Sequence, residues 1–496
     1  MLRLKTAVGC LACLLAGLLS SCGGGGGGAQ LASDKLAQIC MAPRSGVDPY
    51  TGKRYTDRAG TLGSEQRWLD AYMHEIYLWY PEIPGVNASA YSLAAYGSVY
   101  DAMAAYFKAL RTPAITSSGK RKDPFSFVYP TDEWNAQSSE GLSVGYGMQI
   151  RLVANRPPRQ AVVVAVDAGT SADAQGIARG AQILAIDGVD MVNDGTQAGV
   201  DTLNAGLFPA SAGEQHRFNI QDFGSSGTRE LVLTAQSFTE RPVPLVKTLE
   251  TASGKVGYIL FNDHIATAEG ALYEAVQQLS AAGIQDLVLD LRYNGGGYLD
   301  IASELAYMIA GASATQNKVF ERLSFNDKNP RAAGDAATPF HATAQGFDAS
   351  LPEGTALPQL NLQRLYVLLT GDTCSASEAV INSLRGVDVD VVLIGETSCG
   401  KPYGFYAQDN CGISYFAIEF SGTNAKGFGD YADGFTPTCA VDDDYSHEPG
   451  DAGEGMLAAA LSYRQSGVCP GNAKRASLSG GRLLRSPVKE NAWRRR

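Results

Sequence analysis

Three short segments of the sequence carry residue types that could form and break an acyl bond. The first, at 371–378, reads GDTCSASE, follows an apolar strand-like run and opens a helical pattern. A turn from strand to helix places the hydroxyl of Ser375 at a helix N-terminus, where free N–H groups and the positive dipole end stabilise a developing oxyanion. The spacing of Ser375 and Glu378 is also that of a capping box, so this pattern by itself favours an ordinary helix start.

The second segment, at 395–404, reads GETSCGKPYG and contains Lys401. A lysine in a loop is usually solvated, but this one is bracketed by Pro402, Tyr403 and Phe405. Removal from water lowers the proton affinity of an ammonium group, which makes a lysine a usable base near neutral pH. We therefore expect Lys401 to act as a general base if it is buried.

The third segment, at 289–297, reads LDLRYNGGG and runs from a strand into a glycine turn. Backbone without side chains lets a substrate carbonyl approach closely, although an ordinary glycine loop would have the same sequence. A histidine-based site also stays open, because His264 lies beside Asp263 just after the strand-like run 256–261. Lone histidines are usually structural. The alternative for His264 is an accessory or substrate-orienting role.

Other chemistries lack their motifs. The sequence contains no H-E-x-x-H, G-x-S-x-G or P-loop pattern, and its five histidines are scattered. We predict neither a metal site nor an organic cofactor. The net charge of −11 is unevenly spread, since the last 27 residues carry a local +7. An acidic body argues against nucleic-acid binding, although the basic tail could touch anionic lipid.

The elements around these segments predict a layered core. Strand-like runs alternate with helical patterns, the strands at 256–261, 287–291, 365–370 and 391–394 and the helices at 266–281, 299–309 and 377–384. This alternation is typical of an α/β layout. Upstream, the apolar residues of 66–80 and 100–110 recur at helical spacing, so we expect a helical region whose aromatic residues form a core rather than face a substrate.

Between 141 and 238 the sequence consists of short β-rich runs separated by Gly and Asp, at 147–152, 161–166, 183–186 and 231–233. The order of strand, short helix, glycine turn, strand and Asp-Gly turn over 162–188 is similar to a PDZ domain. The resemblance places Tyr146, Gly147 and Met148 in the loop that binds a terminal carboxylate, beside an edge strand that pairs with peptide. The alternative is a small β-domain with a closed groove.

In this order and behind a PDZ-like module, the three segments resemble the S41 peptidases called carboxyl-terminal processing proteases, over about 141–440. The resemblance implies Ser375 as nucleophile and Lys401 as its base. It further implies an oxyanion hole formed by the backbone N–H of Ala376 and that of Gly296 or Gly297.

Two features depart from this family's pattern. Many members place a glutamine four residues after the lysine, where this chain has Phe405. The interval between serine and lysine is about one residue longer than usual, which an insertion near 388–390 could absorb. The third catalytic residue is therefore open; Gln408 lies near Lys401 in sequence only.

The N-terminus resembles a bacterial lipoprotein signal. Basic residues precede an apolar run at 7–19 that is too short for a comfortable bilayer span, and the run ends in LSSC with Cys22 as its cysteine. We expect Cys22 to be lipidated and to anchor the protein at the outer membrane, facing the periplasm; the alternative is an ordinary signal peptide. Six cysteines then remain in an oxidising compartment, so disulfides are favoured over metal, with Cys399 and Cys411 as the first guess for a pair.

With 496 residues, of which 45% are hydrophobic and 18% charged, the chain is globular and longer than one core organises. We predict a multidomain α/β protein with the following divisions: signal peptide 1–21, glycine-rich tether 22–39, helical domain 40–125, PDZ-like domain 140–240, S41 peptidase core 247–469 and basic tail 470–496.

The leading functional prediction is a serine endopeptidase that acylates itself on C-terminal or unfolded segments of exported polypeptides. The main alternative is a non-catalytic peptide-binding lipoprotein with a relic protease domain. An α/β hydrolase of small esters is a third reading, weakened by the missing nucleophile elbow.

Overall fold

The structure is a computed structural model that describes residues 32–154, 156–333, 336–471 and 481–484. The predicted signal peptide, Cys22, most of the tether and most of the basic tail lie outside the described residues. Within them, no helix is long and apolar enough to cross a membrane.

The N-terminal region is helical, as its apolar spacing predicts. The stripe at 66–80 is a helix that begins after the N-cap Thr61, whose side chain accepts a hydrogen bond from the Ser64 amide. Its buried face packs against the α/β core, where the rings of Trp68 and Tyr415 lie 5.0 Å apart. The elements are α1 Ala32–Leu36, β1 Ile39–Cys40, β2 Arg58–Ala59, α2 Leu62–Ile76, α3 Leu93–Tyr96, α4 Val99–Leu110, β3 Phe127–Pro130 and α5 Thr131–Glu140, with short 3-10 turns at Tyr80–Glu82 and Ala88–Ala90.

A β-rich domain follows, built around one sheet with its own apolar core. Its elements are β4 Leu142–Gly145, β5 Met148–Leu152, β6 Ala161–Val166, α6 Ser171–Ala174, β7 Gln182–Ile186, β8 Val189–Asp190, α7 Gln197–Leu207, β9 Gln215–Gln221, β10 Arg229–Thr234 and β11 Gln236–Thr239. The strand order is β10-β9-β7-β6-β5, with β8 paired to β7 and β4 paired to β11. The far edge of β5 is covered by a strand from near the end of the chain, Arg482–Leu484.

The α/β core is built around a six-stranded sheet with helices on both faces. Its elements are β12 Leu245–Thr251, β13 Gly254–Leu260, α8 Ala268–Ala282, β14 Asp286–Asp290, α9 Leu299–Thr315, β15 Val319–Phe325, β16 Ala337–Pro339, β17 Arg364–Leu369, α10 Ala376–Gly386, β18 Asp390–Gly395, β19 Tyr403–Gly404, β20 Gln408–Asn410, β21 Ile413–Phe416, β22 Phe420–Thr423, β23 Cys439–Ala440 and α11 Gly455–Ser466, with a 3-10 turn at Pro330–Ala332. The strand order is β12-β13-β14-β17-β18-β23. We number the terminal strand Arg482–Leu484 as β24.

The register of this sheet positions the site. Strands β13, β14, β17, β18 and β23 are parallel, and β14 is paired with β17, which is paired with β18. The carboxyl ends of parallel neighbours meet at one edge, so the loops that follow β14, β17 and β18 come together there. These loops contain the three segments that the sequence singled out. The predicted multidomain α/β architecture is confirmed.

Three disulfides join the six cysteines that follow Cys22: Cys40–Cys411, Cys374–Cys399 and Cys439–Cys469. The first guess, Cys399 with Cys411, is wrong, because Cys399 lies in the loop after β18 next to the loop that carries Cys374. Cys411 instead joins the N-terminal region to the turn between β20 and β21.

Candidate active site

Ser375 lies at the tight turn between β17 and α10. Its φ of 57° is in the left-handed region, which a non-glycine residue adopts at a cost of about 1–3 kcal/mol. Such strain persists only where the surroundings enforce the conformation, and it is common at functional sites. The residue is 3% exposed, so its hydroxyl is held in a largely water-free turn.

The carboxylate of Glu378 ties the serine loop to the lysine loop. One oxygen, Oε2, accepts hydrogen bonds from the Ser375 amide at 3.0 Å and the Lys401 amide at 2.8 Å. The other oxygen, Oε1, accepts from the Gly400 amide at 2.9 Å and the Ser398 hydroxyl at 2.5 Å. Burial raises the pKa of this carboxyl, while the hydrogen bonds act in the opposite direction. The capping box that the sequence predicted therefore exists, and its glutamate also clamps the neighbouring loop.

A disulfide joins the same two loops next to these hydrogen bonds. Cys374 and Cys399 are bonded, with their Cα atoms 5.2 Å apart, and the Cys399 amide donates to the Thr373 carbonyl at 3.0 Å. Cys374, Cys399 and Glu378 lie close enough together to suggest a metal group, but the bonded sulfurs offer no thiolate ligands. The cluster is therefore a covalent brace.

Lys401 is buried, as the base hypothesis requires. The residue is 1% exposed, and its Nζ lies 4.4 Å from the ring centre of Phe405 and 5.4 Å from that of Phe125. Phe405, which stands where the related family has glutamine, is itself fully buried. Gln408 lies in β20, where its amide donates to the Asp409 carbonyl. The aromatic rings thus keep water from the ammonium group.

The glycine turn after β14 presses against the serine. A Cβ atom on Gly296 would lie 3.0 Å from both the Ala376 amide nitrogen and Ser375 Cβ, and Gly296 has a φ of 106°. A Cβ on Gly297, where φ is 141°, would lie 2.4 Å from the His264 carbonyl oxygen. Both positions therefore require glycine. The sequence alone leaves Gly296 and Gly297 as equal candidates for an oxyanion donor. In the structure, the Gly296 N–H already donates to Asn294 Oδ1 at 2.9 Å.

His264 supports this turn from behind. Its amide donates to the Gly296 carbonyl at 3.1 Å, its own carbonyl accepts from Tyr298, and its Nδ1 lies 3.0 Å from Asn294 Oδ1. The ring is completely buried, and burial lowers its pKa to about 3 despite the hydrogen bond to Asn294. Among the described residues, Nε2 has no hydrogen-bond partner. His264 is thus a neutral group that positions the glycine turn.

A cavity of about 340 Å³ opens beside these loops. Residues from all three loops line it, among them Gly295, Cys374 and Gly400, together with Phe125 from the N-terminal region. Cys374 and Gly400 are the immediate neighbours of Ser375 and Lys401. The cavity therefore gives an extended ligand access to the place where the three loops meet.

The residues that the sequence assigned to peptide binding lie in a different domain. Tyr146 is buried and donates its hydroxyl hydrogen to the Gly206 carbonyl at 2.9 Å. Gly147 has a φ of 76°, and a Cβ there would lie 2.2 Å from Thr170. Met148 begins β5, and all three residues line a second cavity of about 150 Å³ between β5 and the end of α7.

Sequence reasoning missed a buried ionic network between the β-rich domain and the core. Arg179 donates to Asp443 at 2.6 Å and to the Tyr293 hydroxyl at 2.5 Å, and Arg292 pairs with the same Asp443 at 2.7 Å. Arg151, on β5, pairs with Glu396 at 2.7 Å. Tyr293 and Glu396 begin the glycine and lysine loops, so the network reaches the site from the other domain.

Comparison with known proteins agrees with these observations. Residues 255–404 match Peptidase family S41, and residues 64–127 match the Peptidase S41 N-terminal domain. In these two regions the chain is thus similar to peptidases of family S41.

Two carboxyl-terminal-processing proteases are similar to this chain. The protein from Synechocystis sp. is 28% identical over 306 residues, which are 60% of this chain and 63% of that protein. The protein from Picosynechococcus sp. is 30% identical over 281 residues, or 56% of this chain and 60% of that protein. The matched region thus spans less than two thirds of either relative. Among solved structures, a putative S41 protease from Bacteroides fragilis has a TM-score of 0.60 and 25% identity, covering 81% of this chain and 98% of that one.

Proposed function

We propose that the protein is a serine endopeptidase in which Ser375 is the nucleophile and Lys401 its general base. The observation that carries this proposal is the clamp of Glu378, which accepts hydrogen bonds from the amides of both residues. The disulfide beside it supports the same reading. A structural helix cap needs only its own N-terminal amide, whereas here one carboxylate and one disulfide fix two loops relative to each other.

In the proposed mechanism, neutral Lys401 accepts the proton of Ser375 as Oγ attacks the scissile carbonyl carbon. The amine leaves with a proton returned by the lysine, and water then hydrolyses the acyl-enzyme in a second step. Desolvation favours the neutral form of an amine, and Lys401, which is 1% exposed, is removed from water here. Phe405 thus replaces a polar orienting group with an apolar wall.

For the developing oxyanion we propose the amides of Ala376 and Gly297. Ala376 is the first residue of α10, where N–H groups lack intrahelical acceptors and the dipole favours negative charge. Gly297 is preferred over Gly296 because the Gly296 amide already donates to Asn294. Donors fixed before the reaction cost no reorganisation when the charge forms.

We propose that the β-rich domain is a PDZ-like module that binds extended segments of exported polypeptides. Its support is strand β5, which begins directly after the positive-φ Gly147, has α7 beside it and is paired on its outer side only with the three-residue strand β24. An edge strand recognises peptide through backbone hydrogen bonds, and pockets for alternate side chains add specificity.

We further propose that lipid on Cys22 anchors the protein to the cell envelope, on the periplasmic side. The support is the sequence alone, in which the cysteine directly follows the apolar run. Replacing Cys22→Ala should move the protein from membrane to soluble fractions. Intact mass of an unmodified chain cut at another residue would refute the anchor.

The direct test is hydrolysis of an unfolded protein such as reduced casein by the chain from Ala29 onward. Ser375→Ala should abolish cleavage without changing the far-ultraviolet circular dichroism, and the exposed Ser462→Ala is the matched control. Mass spectrometry of the fragments maps the cut bonds. Absence of fragments with the wild-type chain would favour the alternative, a peptide-binding lipoprotein, and cleavage by Ser375→Ala at the wild-type rate would exclude the serine mechanism.

A further inference from the structure

The chain covers the peptide-binding edge of its own β-rich domain. Strand β24, Arg482–Leu484, is antiparallel to β5, with Leu484 opposite Ile150 and Arg482 opposite Leu152. On its other side β5 is paired with β6, so β24 occupies the edge at which a foreign peptide would have to pair. We propose that residues 481–484 are a built-in ligand of this groove, which a substrate must displace.

The direction of β24 matches that of a peptide held by its C-terminal side. Because the strands are antiparallel, β24 runs from Leu152 toward Met148, that is, toward the loop of Tyr146 and Gly147. A segment bound in this direction has its downstream end at the loop to which the sequence analysis assigned carboxylate binding. The same direction brings its side chains alternately to the two faces of the sheet.

The two leucines of β24 use both faces. Leu484 packs against the apolar core of the β-rich domain and lines the cavity that Leu207 of α7 also lines. Leu483, which is 5% exposed, lies on the opposite face in a cluster with Val162 and Tyr293. The groove therefore selects an extended segment with adjacent large apolar residues.

The segment also touches the loop that carries the nucleophile. The Leu483 amide donates to Asp372 Oδ1 at 3.0 Å, and Arg482 lines the cavity beside Cys374 and Gly400. The carbonyl of Gly481 accepts from Arg151 Nε at 3.1 Å. The bound segment thus lies against both the groove and the entrance to the site, where it competes with substrate.

A ligand joined to its own receptor is difficult to displace. Covalent attachment gives a tethered ligand an effective concentration on the order of 1 mM, so a tethered segment with an intrinsic dissociation constant of about 10 µM would weaken the binding of a free competing peptide about 100-fold. Even imperfect apolar contacts therefore suffice for occupancy. This inference rests on the proposed peptide-binding role of the β-rich domain but not on cleavage.

The test uses the chain from Ala29 to Arg496 with Ser375→Ala, so that nothing is cut. The probe is a fluorescein-labelled synthetic peptide with the sequence of residues 479–487, titrated by fluorescence anisotropy. Adding Leu484→Asp to the protein should free its groove and tighten probe binding about 10- to 100-fold. Val232→Asp, which places the same charge on an exposed apolar position of the same sheet, should leave the affinity unchanged.

A second variant guards against misfolding by Leu484→Asp. A chain that ends at Gly471 lacks the segment altogether and should show the same gain, while a probe carrying Leu484→Asp should bind neither variant. Equal probe affinity of the parent, Leu484→Asp and shortened chains would overturn the inference, as would an equal gain in Val232→Asp. Casein cleavage by the Ser375 protein is measured separately, so failure of the proposed peptidase activity would be seen independently of groove binding.

Discussion

Two junctions of the molecule are held together by different kinds of interaction. At the junction of the proposed active site, which we call the catalytic junction, the serine and lysine loops of the core are joined by a disulfide and by Glu378, whose hydrogen bonds come from backbone amides and a hydroxyl. At the domain junction, between the β-rich domain and the core, buried arginines share carboxylates, with Arg179 and Arg292 both on Asp443.

The difference matters because the two kinds of bond respond differently to change. Hydrogen bonds to one buried carboxylate and a covalent bridge fix the loops at one geometry. Buried ion pairs tolerate exchange of partners but cost heavily when one member is removed. The catalytic junction therefore sets the positions of Ser375 and Lys401, while the domain junction sets how firmly the β-rich domain is held against them.

The largest effect is expected at Lys401, because its loss removes the proposed proton acceptor while the disulfide and the Glu378 carboxylate stay in place. Lys401→Ala and Lys401→Arg should both lower kcat for casein cleavage by about 10²–10⁴-fold, since a guanidinium stays protonated. The exposed Lys426→Arg is the control and should keep full activity. Activity of Lys401→Arg within a few-fold of wild type would show that the catalytic junction needs only a cation there.

Glu378→Ala should have the next largest effect, because it leaves the amides of Ser375, Gly400 and Lys401 without their buried acceptor. Each unsatisfied group costs about 1–3 kcal/mol, so we expect the unfolding free energy measured in urea to fall by several times the contribution of one ordinary hydrogen bond. We also expect kcat to fall. Glu65→Ala is the control, being a buried carboxylate that accepts from the Met41 amide away from the site. Loss of stability with unchanged kcat would separate Glu378 from the placement of the loops.

The catalytic junction could largely be predicted from sequence, because each of its loops follows an apolar strand and carries its own signal. Even the disulfide was within reach: Cys374 and Cys399 follow consecutive parallel strands, whose carboxyl ends must be neighbours. The guess of Cys399 with Cys411 gave more weight to closeness in sequence than to the sheet. Glu378 was recognised as a helix cap, but its bonds to the lysine loop are tertiary contacts that no local pattern encodes.

The domain junction and strand β24 could not be predicted in the same way. Arg151, Arg179 and Arg292 stand in unrelated sequence contexts, and a lone arginine is ordinarily a solvated surface residue. Strand β24 lies in the basic tail, where its two leucines form a run too short for a strand signal. Both features depend on which surfaces meet once the domains are folded.

At the domain junction, Arg179→Met should destabilise the protein by about 3–5 kcal/mol, because it leaves Asp443 with fewer cations in a buried site. Urea unfolding measures the effect, and Arg217→Met, which breaks the exposed pair with Glu230, should cause no measurable change. We expect kcat to change less than the stability does. A drop in kcat as large as that of Lys401→Ala would contradict the division of roles between the two junctions.

The smallest effect is the change in stability at acidic pH, which depends on whether a group at each junction takes up a proton. Asp443 at the domain junction is buried, yet Arg179 and Arg292 hold its pKa well below the usual range, so it stays ionised between pH 7 and 5. His264, behind the glycine turn, has its pKa lowered by burial from 6.5 to about 3. In that interval the unfolded chain binds a proton at His264 and the folded chain does not, so stability must fall as the pH falls.

Between pH 7 and 5 the loss of unfolding free energy is about 2 kcal/mol, and the variant His264→Gln should lack this loss. The difference in unfolding free energy between wild type and His264→Gln should therefore shrink by that amount at pH 5. Since all other groups are common to both proteins, this difference isolates His264, and the half-exposed His74→Gln serves as control. A difference independent of pH would mean that His264 can take up a proton within the folded site, and the glycine turn would then not be the uncharged support described above.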